Sequence, residues 1–293
     1  MQDGYRSAFS SGIFKDRVIL VTGAGSGIGR CTSHELAALG AKVALIGRTL
    51  SKLEAVKVEI AEVGGTAEAF ACDIRDEDRV RETVQGVIER FGRLDGLVNN
   101  AGGQFRSPLA KISQKGWDAV VRNNLTGGFT MARECFTQWM ESHGGSIVNV
   151  VGDMWFGWPM MGHSGAARAG MVNLTETAAF EWSPSNVRVN AVAPGWIASS
   201  GMDQYPAGEM QERLRNLKNI APLGRIGTES EVSAAIVFLL SDAAAFISGT
   251  TLRVDGAVPN MRAAYAFPRS REPAPAFNGF HLAKLPTVLS EQG

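Results

Sequence analysis

The chain has 293 residues, of which 45% are hydrophobic, and its 29 basic and 29 acidic side chains balance to a formal net charge of zero. A chain of this length can bury a large core, and its neutral balance argues against binding to nucleic acid or to an anionic membrane surface. Three widely spaced cysteines show neither a zinc nor a disulfide pattern, and no apolar run reaches the roughly 18 residues of a membrane span. We therefore expect a soluble, cytoplasmic protein without a metal site.

Short apolar runs alternate with helical patterns from residue 17 onward. The runs predict seven strands, at 17–22, 42–47, 67–72, 94–99, 146–151, 187–192 and 251–255, the last at an edge. A helical stretch over 50–63 ends at Gly64-Gly65, and similar stretches separate the other strands. This alternation predicts an α/β fold with a Rossmann-type, doubly wound, seven-stranded and mainly parallel sheet in a single domain.

Three segments lie outside this alternation. Residues 1–16 form a mixed N-terminal arm before the domain, which we expect to span 17–262. Within it, polar material at about 198–226 follows the sixth strand, at the sheet edge where ligands bind in such folds, and is predicted to be a lid. The tail at 263–293 carries several apolar side chains and is expected to pack on a surface or on a neighbouring subunit: Phe267, Phe277, Phe280, Leu282 and Leu285.

A glycine-rich turn, TGAGSGIG at 22–29, joins the first strand to the first helix. Glycines at this place let backbone N–H groups approach a pyrophosphate at the helix N-terminus, although such turns also occur for packing alone. The predicted nucleotide-binding residues of the turn are Thr22, Gly23, Gly25, Ser26, Gly27, Ile28 and Gly29.

The residues after the second and third strands predict which dinucleotide binds. An acidic residue after the second strand would suit the ribose of NAD, but this chain has Arg48, whose guanidinium suits a 2′-phosphate. The alternative is that Arg48 is a solvated surface residue. Asp73, with Ile74 beside it, is placed to accept a hydrogen bond from adenine, or else to cap the next helix. NADP(H) is the cofactor that this pattern favours.

Three motifs occur in order: TGAGSGIG, Asn99-Asn100-Ala101-Gly102 after the fourth strand, and Pro194-Gly195 after the sixth. Together they resemble the short-chain dehydrogenase/reductase family over residues 17–256. The resemblance implies an oxidoreductase that forms a homotetramer and has its site beside the nicotinamide. It also implies a catalytic role for Asn124 and further cofactor contacts from Asn100, Ala101, Gly102, Arg168, Pro194, Gly195 and Ile197.

The chain departs from that family at the residues that carry its chemistry. The segment Val150-Val151-Gly152 has no hydroxyl where the family has a serine, and Ser164 and Arg168 stand in the places of tyrosine and lysine. A phenol next to a lysine exchanges a proton with an alcohol or a ketone, whereas serine is a poor acid and arginine remains charged. The chain is therefore poorly equipped for the oxidation of an alcohol to a carbonyl or for the reverse reduction.

A narrower set of motifs offers a reaction that needs no phenol. The stretches HGGSIVN at 143–149 and HSGAARAG at 163–170 resemble the peroxisomal type of trans-2-enoyl-CoA reductase, and the related 2,4-dienoyl-CoA reductases also have serine in the tyrosine position. The resemblance implies that NADPH reduces a carbon–carbon double bond conjugated to an acyl-CoA thioester, in fatty acid metabolism. The last residues, Glu291-Gln292-Gly293, are not a Ser-Lys-Leu type signal, so we expect the cytoplasm.

The substituted residues suit that reaction. Ser164 can donate a hydrogen bond to the thioester oxygen, Arg168 can hold the nicotinamide ribose, and Asn124 can organise water. Alternatively, Ser164 caps a helix and Arg168 forms a surface ion pair. The proton donor remains open among water, a ribose hydroxyl, Asp153 and His163, although a structural role is expected for this histidine. A nearby apolar group lines an acyl pocket or an interface: Met154, Trp155, Phe156, Trp158, Met160 and Met161.

Two other functions fit the same residues. One is an NAD(P)-dependent alcohol or aldehyde dehydrogenase of an apolar substrate such as a terpenoid, and the other is a non-catalytic dinucleotide-binding protein. In each case we expect a homotetramer assembled through the helices at about 116–140 and 162–182. Their apolar content exceeds what two exposed faces would carry: Phe129, Met131, Phe136, Trp139, Met171, Leu174, Phe180 and Trp182.

Overall fold

The computed structural model describes residues 4–204, 209–260 and 273–290. Its main strands are β1 Val18–Thr22, β2 Lys42–Gly47, β3 Thr66–Ala71, β4 Gly96–Asn99, β5 Gly145–Val150, β6 Val187–Pro194 and β9 Thr251–Val254. They form one sheet in the order β3-β2-β1-β4-β5-β6-β9, and every neighbouring pair is parallel. A separate two-stranded pair joins β7 Ile197–Ala198 to β8 Gly227–Thr228. The predicted single α/β domain is confirmed, with a wholly parallel sheet.

Nine α-helices connect these strands in the described part of the chain. They are α1 Gly27–Ala38, α2 Leu50–Glu62, α3 Glu77–Phe91, α4 Gln114–Val121, α5 Gly127–Cys135, α6 Glu141–His143, α7 Gly162–Glu181, α8 Glu209–Ile220 and α9 Glu229–Leu240. Two π-helical turns, Arg122–Thr126 and Phe136–Met140, join α4, α5 and α6 into one continuous stretch. None of the described helices combines the length and apolarity needed to cross a membrane.

Helices cover both faces of the sheet. One core cluster packs α1, α2 and α9 against the strands, and a second packs α3, α5 and α7 against the opposite face. All five residues of β1 are consequently buried, which explains its unbroken apolar sequence. The strand order reverses between β1 and β4, and this reversal opens a crevice at the carboxyl ends of the strands, where ligands bind in doubly wound sheets.

The C-terminal segment packs on its own domain. Phe280 is buried in a cluster with Tyr5 and Cys31, and the Arg6 N–H donates to the Gly279 carbonyl at 2.9 Å. The arm and the tail therefore meet beside α1. Of the other tail residues considered from the sequence, Leu282 is partly buried, Leu285 is exposed, and Phe267 lies outside the described residues.

The end of the tail also contacts the predicted lid. Val288 is buried with Leu214 and Leu217 of α8 and with Met202 of the preceding 3₁₀ turn, Ser200–Gln204. Its N–H donates to the Asp203 carboxylate at 3.1 Å, and its carbonyl accepts from the Arg215 Nε at 3.2 Å. The described part of the lid is therefore held against the tail by apolar packing and by two hydrogen bonds.

Shortening Val288 should loosen this attachment. We expect Val288→Ala to lower the free energy of unfolding by about 1.5 kcal/mol, because two buried carbon atoms are lost. The melting temperature should fall by about 3–5 °C, measured by calorimetry. Leu285→Ala is the matched control, since the Leu285 side chain is 69% exposed and should be nearly neutral. Equal shifts for the two variants would contradict the proposed attachment.

The apolar side chains expected at a subunit interface do not all face outward. Met131 and Met171 are buried in the core, so assigning them to an interface was wrong. Phe136 stacks on Trp182 with ring centroids 4.5 Å apart, and both are partly buried. Phe129 on α5 and Phe180 on α7 remain exposed, at 38% and 83%. Phe129 and Phe180 are therefore the large apolar side chains that are exposed on α5 and α7.

Candidate functional site

The glycine-rich turn adopts a backbone that side chains would block. Gly23 and Gly27 have positive φ angles of 67° and 58°. A methyl group on Gly29 would lie 2.4 Å from the Gly23 carbonyl oxygen, and one on Gly23 would lie 2.8 Å from Asn100 Nδ2. Ser26 occupies the N-cap position of α1, but its hydroxyl accepts no hydrogen bond from the helix. The first N–H groups of α1 can therefore bind another acceptor. The turn has the form of an anion site at a helix N-terminus.

Thr22 joins the glycine-rich turn to the loop after β4. Its buried hydroxyl accepts from the N–H groups of Asn100 and Ala101, both at 2.9 Å, and donates to the Val98 carbonyl at 3.3 Å. Asn100 Nδ2 in turn donates to the Thr22 carbonyl at 2.9 Å. The Thr22 side chain is therefore committed to protein partners, and its contribution to a cofactor site is to position the two loops.

The ends of β2 and β3 carry the residues expected to select the cofactor. Arg48 is exposed directly after β2 and forms no ion pair within the described residues. Asp73 receives hydrogen bonds from the Arg75 guanidinium, which hold the pKa of its carboxyl below the usual range. The helix cap suggested for Asp73 is wrong, because Asp76 caps α3 by accepting from the Arg79 N–H. Ile74 is buried beside Gly127.

Asn124 lies in the first π-helical turn and holds the loop after β4. Its amide donates to the carbonyls of Gly103 and Val120, at 2.6 and 2.9 Å, and its oxygen accepts from the Gly103 N–H at 3.2 Å. Both amide hydrogens are therefore used within the protein. Asn124 lies at the predicted site, but in this structure it fixes the loop, and its place in a water chain stays a prediction.

Arg168 reaches the same loop from α7. A methyl group on Gly102 would lie 2.4 Å from Arg168 Nη2 and 2.8 Å from Asn124 Oδ1, so a side chain at this position would displace one or both of them. Arg168 Nη1 donates to the Val150 carbonyl at 2.8 Å, and no described carboxylate lies within ion-pair distance. Burial lowers the pKa of the guanidinium to about 10, which leaves it charged at neutral pH. The alternative of a surface ion pair is therefore wrong.

Ser164 and His163 lie fully buried in the first turn of α7. The residue at the N-cap position is Met161, so the alternative of a Ser164 cap is wrong. The Ser164 hydroxyl has no hydrogen-bond partner among the described residues, and neither has His163 Nε2. His163 Nδ1 accepts from the Ser164 N–H at 2.8 Å. Buried polar groups are nearly always paired, so two adjacent unpaired ones need an explanation.

Apolar side chains from two loops cover these groups. The Phe105 ring contacts the His163 ring edge to face at 4.5 Å, and Trp158 lies over Gly152, where a methyl group would meet its ring at 3.0 Å. Phe156 and Met160 are exposed and have φ angles of 73° and 66°, which bulky residues rarely adopt. Trp158 belongs to the apolar group that the sequence suggested for an acyl pocket or an interface, whereas Phe105 was not identified as a covering residue, since apolar loop residues have no distinctive pattern.

The loop after β6 forms the remaining side of the predicted cofactor site. Gly195 packs on the backbone of Asp255, where a methyl group would lie 2.8 Å from its Cα, and the Gly195 N–H donates to the Val254 carbonyl at 2.9 Å. Pro194 ends β6, and the buried Ile197 begins β7. A cavity of about 360 Å³ lies beside this loop between Trp196, Arg225 and Arg253, but it does not include Asn124, Ser164 or Arg168.

Comparisons with known proteins agree with this architecture. A family profile described as Enoyl-(Acyl carrier protein) reductase matches residues 23–258. The Bacillus subtilis protein named "Probable 2,4-dienoyl-CoA reductase" is 35% identical over 82% of this chain and 95% of its own. A peroxisomal 2,4-dienoyl-CoA reductase of Danio rerio is 33% identical over 86% of this chain and 84% of its own.

A solved structure is more similar in sequence. The citronellol catabolism dehydrogenase AtuB of Pseudomonas aeruginosa PAO1 is 56% identical, with a TM-score of 0.78, and the match covers 87% of this chain and 99% of that one. The profile match and these relatives show that the chain belongs to the short-chain dehydrogenase/reductase family of oxidoreductases, which bind NAD(P).

Proposed function

We propose that this oxidoreductase reduces the carbon–carbon double bond of a 2-enoyl-CoA thioester with NADPH, on a fatty or branched acyl chain. The observation that carries the proposal is the pair at the start of α7, where Ser164 and Arg168 replace tyrosine and lysine. Among the described residues, the buried serine hydroxyl has no hydrogen-bond partner and the arginine has no acidic partner. Both residues can stabilise negative charge on an oxygen, and neither suits proton exchange with an alcohol.

No described tyrosine is placed to substitute for the missing phenol. Tyr5 lies beside α1 and donates to Glu35, packed on Phe280. Tyr205 and Tyr265 lie outside the described residues. Trp158 covers Gly152, so a hydroxyl-bearing side chain at that position would also need a rearrangement of the tryptophan. These features support a reaction in which the protein stabilises an enolate.

Bound NADPH would supply a hydride to Cβ of the substrate, and negative charge would develop on the thioester oxygen. Cα would then take up a proton from water or from one of the other candidate donors, which completes the reduction. Ser164 Oγ–H donates a hydrogen bond to that oxygen, and the Arg168 guanidinium adds positive potential and a donor for ribose hydroxyls. Asn124 keeps Gly102 and Gly103 against Arg168, so its role is positioning. Phe105 and Trp158 exclude water from the reacting atoms.

The cofactor preference follows from the end of β2. Arg48 is exposed and forms no ion pair within the described residues, and, after the Arg75 guanidinium, its charge helps to lower the pKa of the nearby Asp73 carboxyl. Its guanidinium is therefore available to the 2′-phosphate of NADP(H). We place the protein in the cytoplasm because its three cysteines are all free and buried, as suits a reducing compartment.

A spectrophotometric comparison tests the proposal. Oxidation of NADPH at 340 nm is measured with trans-2-enoyl-CoA thioesters of increasing chain length and with methyl-branched analogues. The matched arm measures reduction of NADP⁺ and NAD⁺ with apolar primary alcohols. Turnover in the first arm and none in the second is the expected result, and the reverse pattern would reject enoyl reduction.

A second candidate function is the dehydrogenation of an apolar, terpenoid alcohol or aldehyde. It is favoured by one specific observation, the name of the AtuB structure to which this chain is 56% identical. The same relative supports a branched terpenoid acyl chain for the first proposal. The alcohol arm of the 340 nm measurement distinguishes the two reactions, because only this second function reduces the cofactor.

We also propose a homotetramer in which α5 and α7 provide a main interface. Phe180 is 83% exposed, and replacing it by glutamate should lower the molar mass of the assembly, because a charge would enter an apolar contact. Light scattering at micromolar concentration measures the change. Val58→Glu on α2 is the matched control, since Val58 is exposed away from both helices. A monomeric wild-type protein would reject the assembly.

A further inference from the structure

We infer that His163 provides a second hydrogen-bond donor, beside Ser164, for the carbonyl oxygen of the substrate. The inference rests on the proposed function and adds a residue to its site. The chain has four histidines, and His163 is the one that lies in the first turn of α7 next to the residue replacing the family tyrosine. Its side chain is fully buried, as is that of Ser164.

The hydrogen bond at Nδ1 determines which ring nitrogen can donate. Because Nδ1 accepts from the Ser164 N–H at 2.8 Å, the proton of the imidazole is on Nε2. The same bond satisfies one of the N–H groups that a helix leaves unpaired in its first turn. The ring is thereby held in one tautomer and orientation, with Nε2–H directed away from the helix backbone.

Nε2–H and the Ser164 hydroxyl are neighbouring buried donors that have no hydrogen-bond acceptor among the described residues. The two groups belong to successive residues of α7, and a buried donor without an acceptor is what an oxygen with developing negative charge requires. One carbonyl oxygen has two lone pairs, so it can accept from both groups at once. This role explains why neither polar group has a partner in the described part of the chain.

The loop after β4 contacts α7 at His163 and again at Arg168. Gly102 lies against Arg168, which is one helical turn after Ser164 on the same face of α7, and Phe105 of that loop lies against His163. The Phe105 ring meets the imidazole edge to face and is 42% exposed. We infer that the thioester displaces this ring, so that the carbonyl oxygen takes the place of an aromatic contact.

Two substitutions separate hydrogen-bond donation from packing. His163→Phe keeps a ring of similar size but removes the N–H, whereas His163→Gln places an amide N–H near the position of Nε2. We expect His163→Phe to lower kcat for enoyl-thioester reduction about tenfold to a hundredfold and His163→Gln to recover at least part of that loss. NADPH affinity should remain unchanged in both. His143→Phe on the exposed helix α6 is the matched control.

A spectroscopic measurement reports the donor directly. The infrared C=O stretch of a saturated thioester, hexanoyl-CoA labelled with ¹³C at the carbonyl, is recorded on the NADP⁺ complex. Two donors should lower the frequency relative to solution, and His163→Phe should remove part of that shift while His163→Gln retains it. A wild-type complex that absorbs at the solution frequency overturns the inference without any variant, as would a kcat in His163→Phe equal to that of wild type.

The outcomes distinguish this inference from the proposed function. If wild-type protein reduces enoyl-CoA and His163→Phe is fully active, His163 is a packing residue and enoyl reduction stands. If wild-type protein reduces no enoyl-CoA, the proposed function fails first and the donor assignment is withdrawn with it. A loss in both His163 variants, with melting temperatures unchanged, would show that the amide does not replace the imidazole and would reject simple donation from Nε2.

Discussion

Ser164→Ala is expected to lower kcat for enoyl-thioester reduction by about 10–10³, while the Kd for NADPH stays unchanged. The reason is that the hydroxyl is fully buried and has no described protein partner, so its removal breaks no hydrogen bond of the folded state. Only an interaction made with the substrate is lost. Steady-state kinetics and NADPH fluorescence titration measure the two quantities separately.

Ser183→Ala is the matched control, because Ser183 follows α7 and is exposed. An enoyl-reductase activity that is unchanged in Ser164→Ala would remove this serine from the mechanism. The double change Ser164→Tyr with Arg168→Lys restores the usual family pair and tests the opposite possibility. We expect it to damage enoyl reduction because the phenol fills the space of the thioester. Alcohol oxidation should remain slight, because Gly152 still lacks a hydroxyl and is covered by Trp158.

Arg48→Asp is expected to weaken NADPH binding by about tenfold to a hundredfold or more. The estimate takes about 1.5–3 kcal/mol for hydrogen bonds between a charged donor and a phosphate. Affinity for NADH should fall far less or improve, because a carboxylate can accept from ribose hydroxyls. Calorimetric titration of both cofactors measures the ratio of the two affinities.

Arg81→Asp makes the same change of charge on α3, where the side chain is exposed and pairs with Asp78. It separates a local contact at β2 from a general electrostatic effect on an anionic ligand. Equal binding of NADPH and NADH by the wild-type protein would mean that Arg48 does not select the cofactor.

The strands were predictable because a strand that is buried on both faces has a continuous run of apolar residues. Each predicted strand exists, and the differences lie at the ends. The fourth strand begins at Gly96 rather than at residue 94, although the Asp95 backbone already donates to the Val18 carbonyl and accepts from the Ser146 N–H. The sixth extends to Pro194, because β9 pairs with it along that length.

The helix predicted over about 116–140 illustrates what periodicity does not reveal. Its two π-helical turns each change the rotation between successive side chains, so a regular helical repeat does not give the faces of this stretch. Met131 is buried in the core, although the apolar content of the stretch led us to count it toward an interface. The first of these turns contains Asn124 and sets its amide against Gly103.

The site was predictable as a set of positions but not as a set of contacts. Motif spacing located the glycine-rich turn, Ser164 and Arg168, because each follows a strand or begins a helix. The local sequence does not indicate which distant residue a side chain contacts in the folded protein. The bond from Thr22 to the loop after β4, the cover provided by Phe105 and Trp158, and the bond between His163 Nδ1 and the Ser164 N–H became visible only in three dimensions.

The meeting of the arm and the tail has a consequence for the order in which the molecule forms during synthesis. The bond from Arg6 to Gly279 and the packing of Tyr5 on Phe280 join residues separated by about 270 positions. Neither contact can exist until translation has passed the second partner, and the same holds for Val288 against α8. The sheet can therefore assemble on the ribosome before the segment at 273–290 has been made, and α8 gains its contact with Val288 only after the Rossmann core is complete.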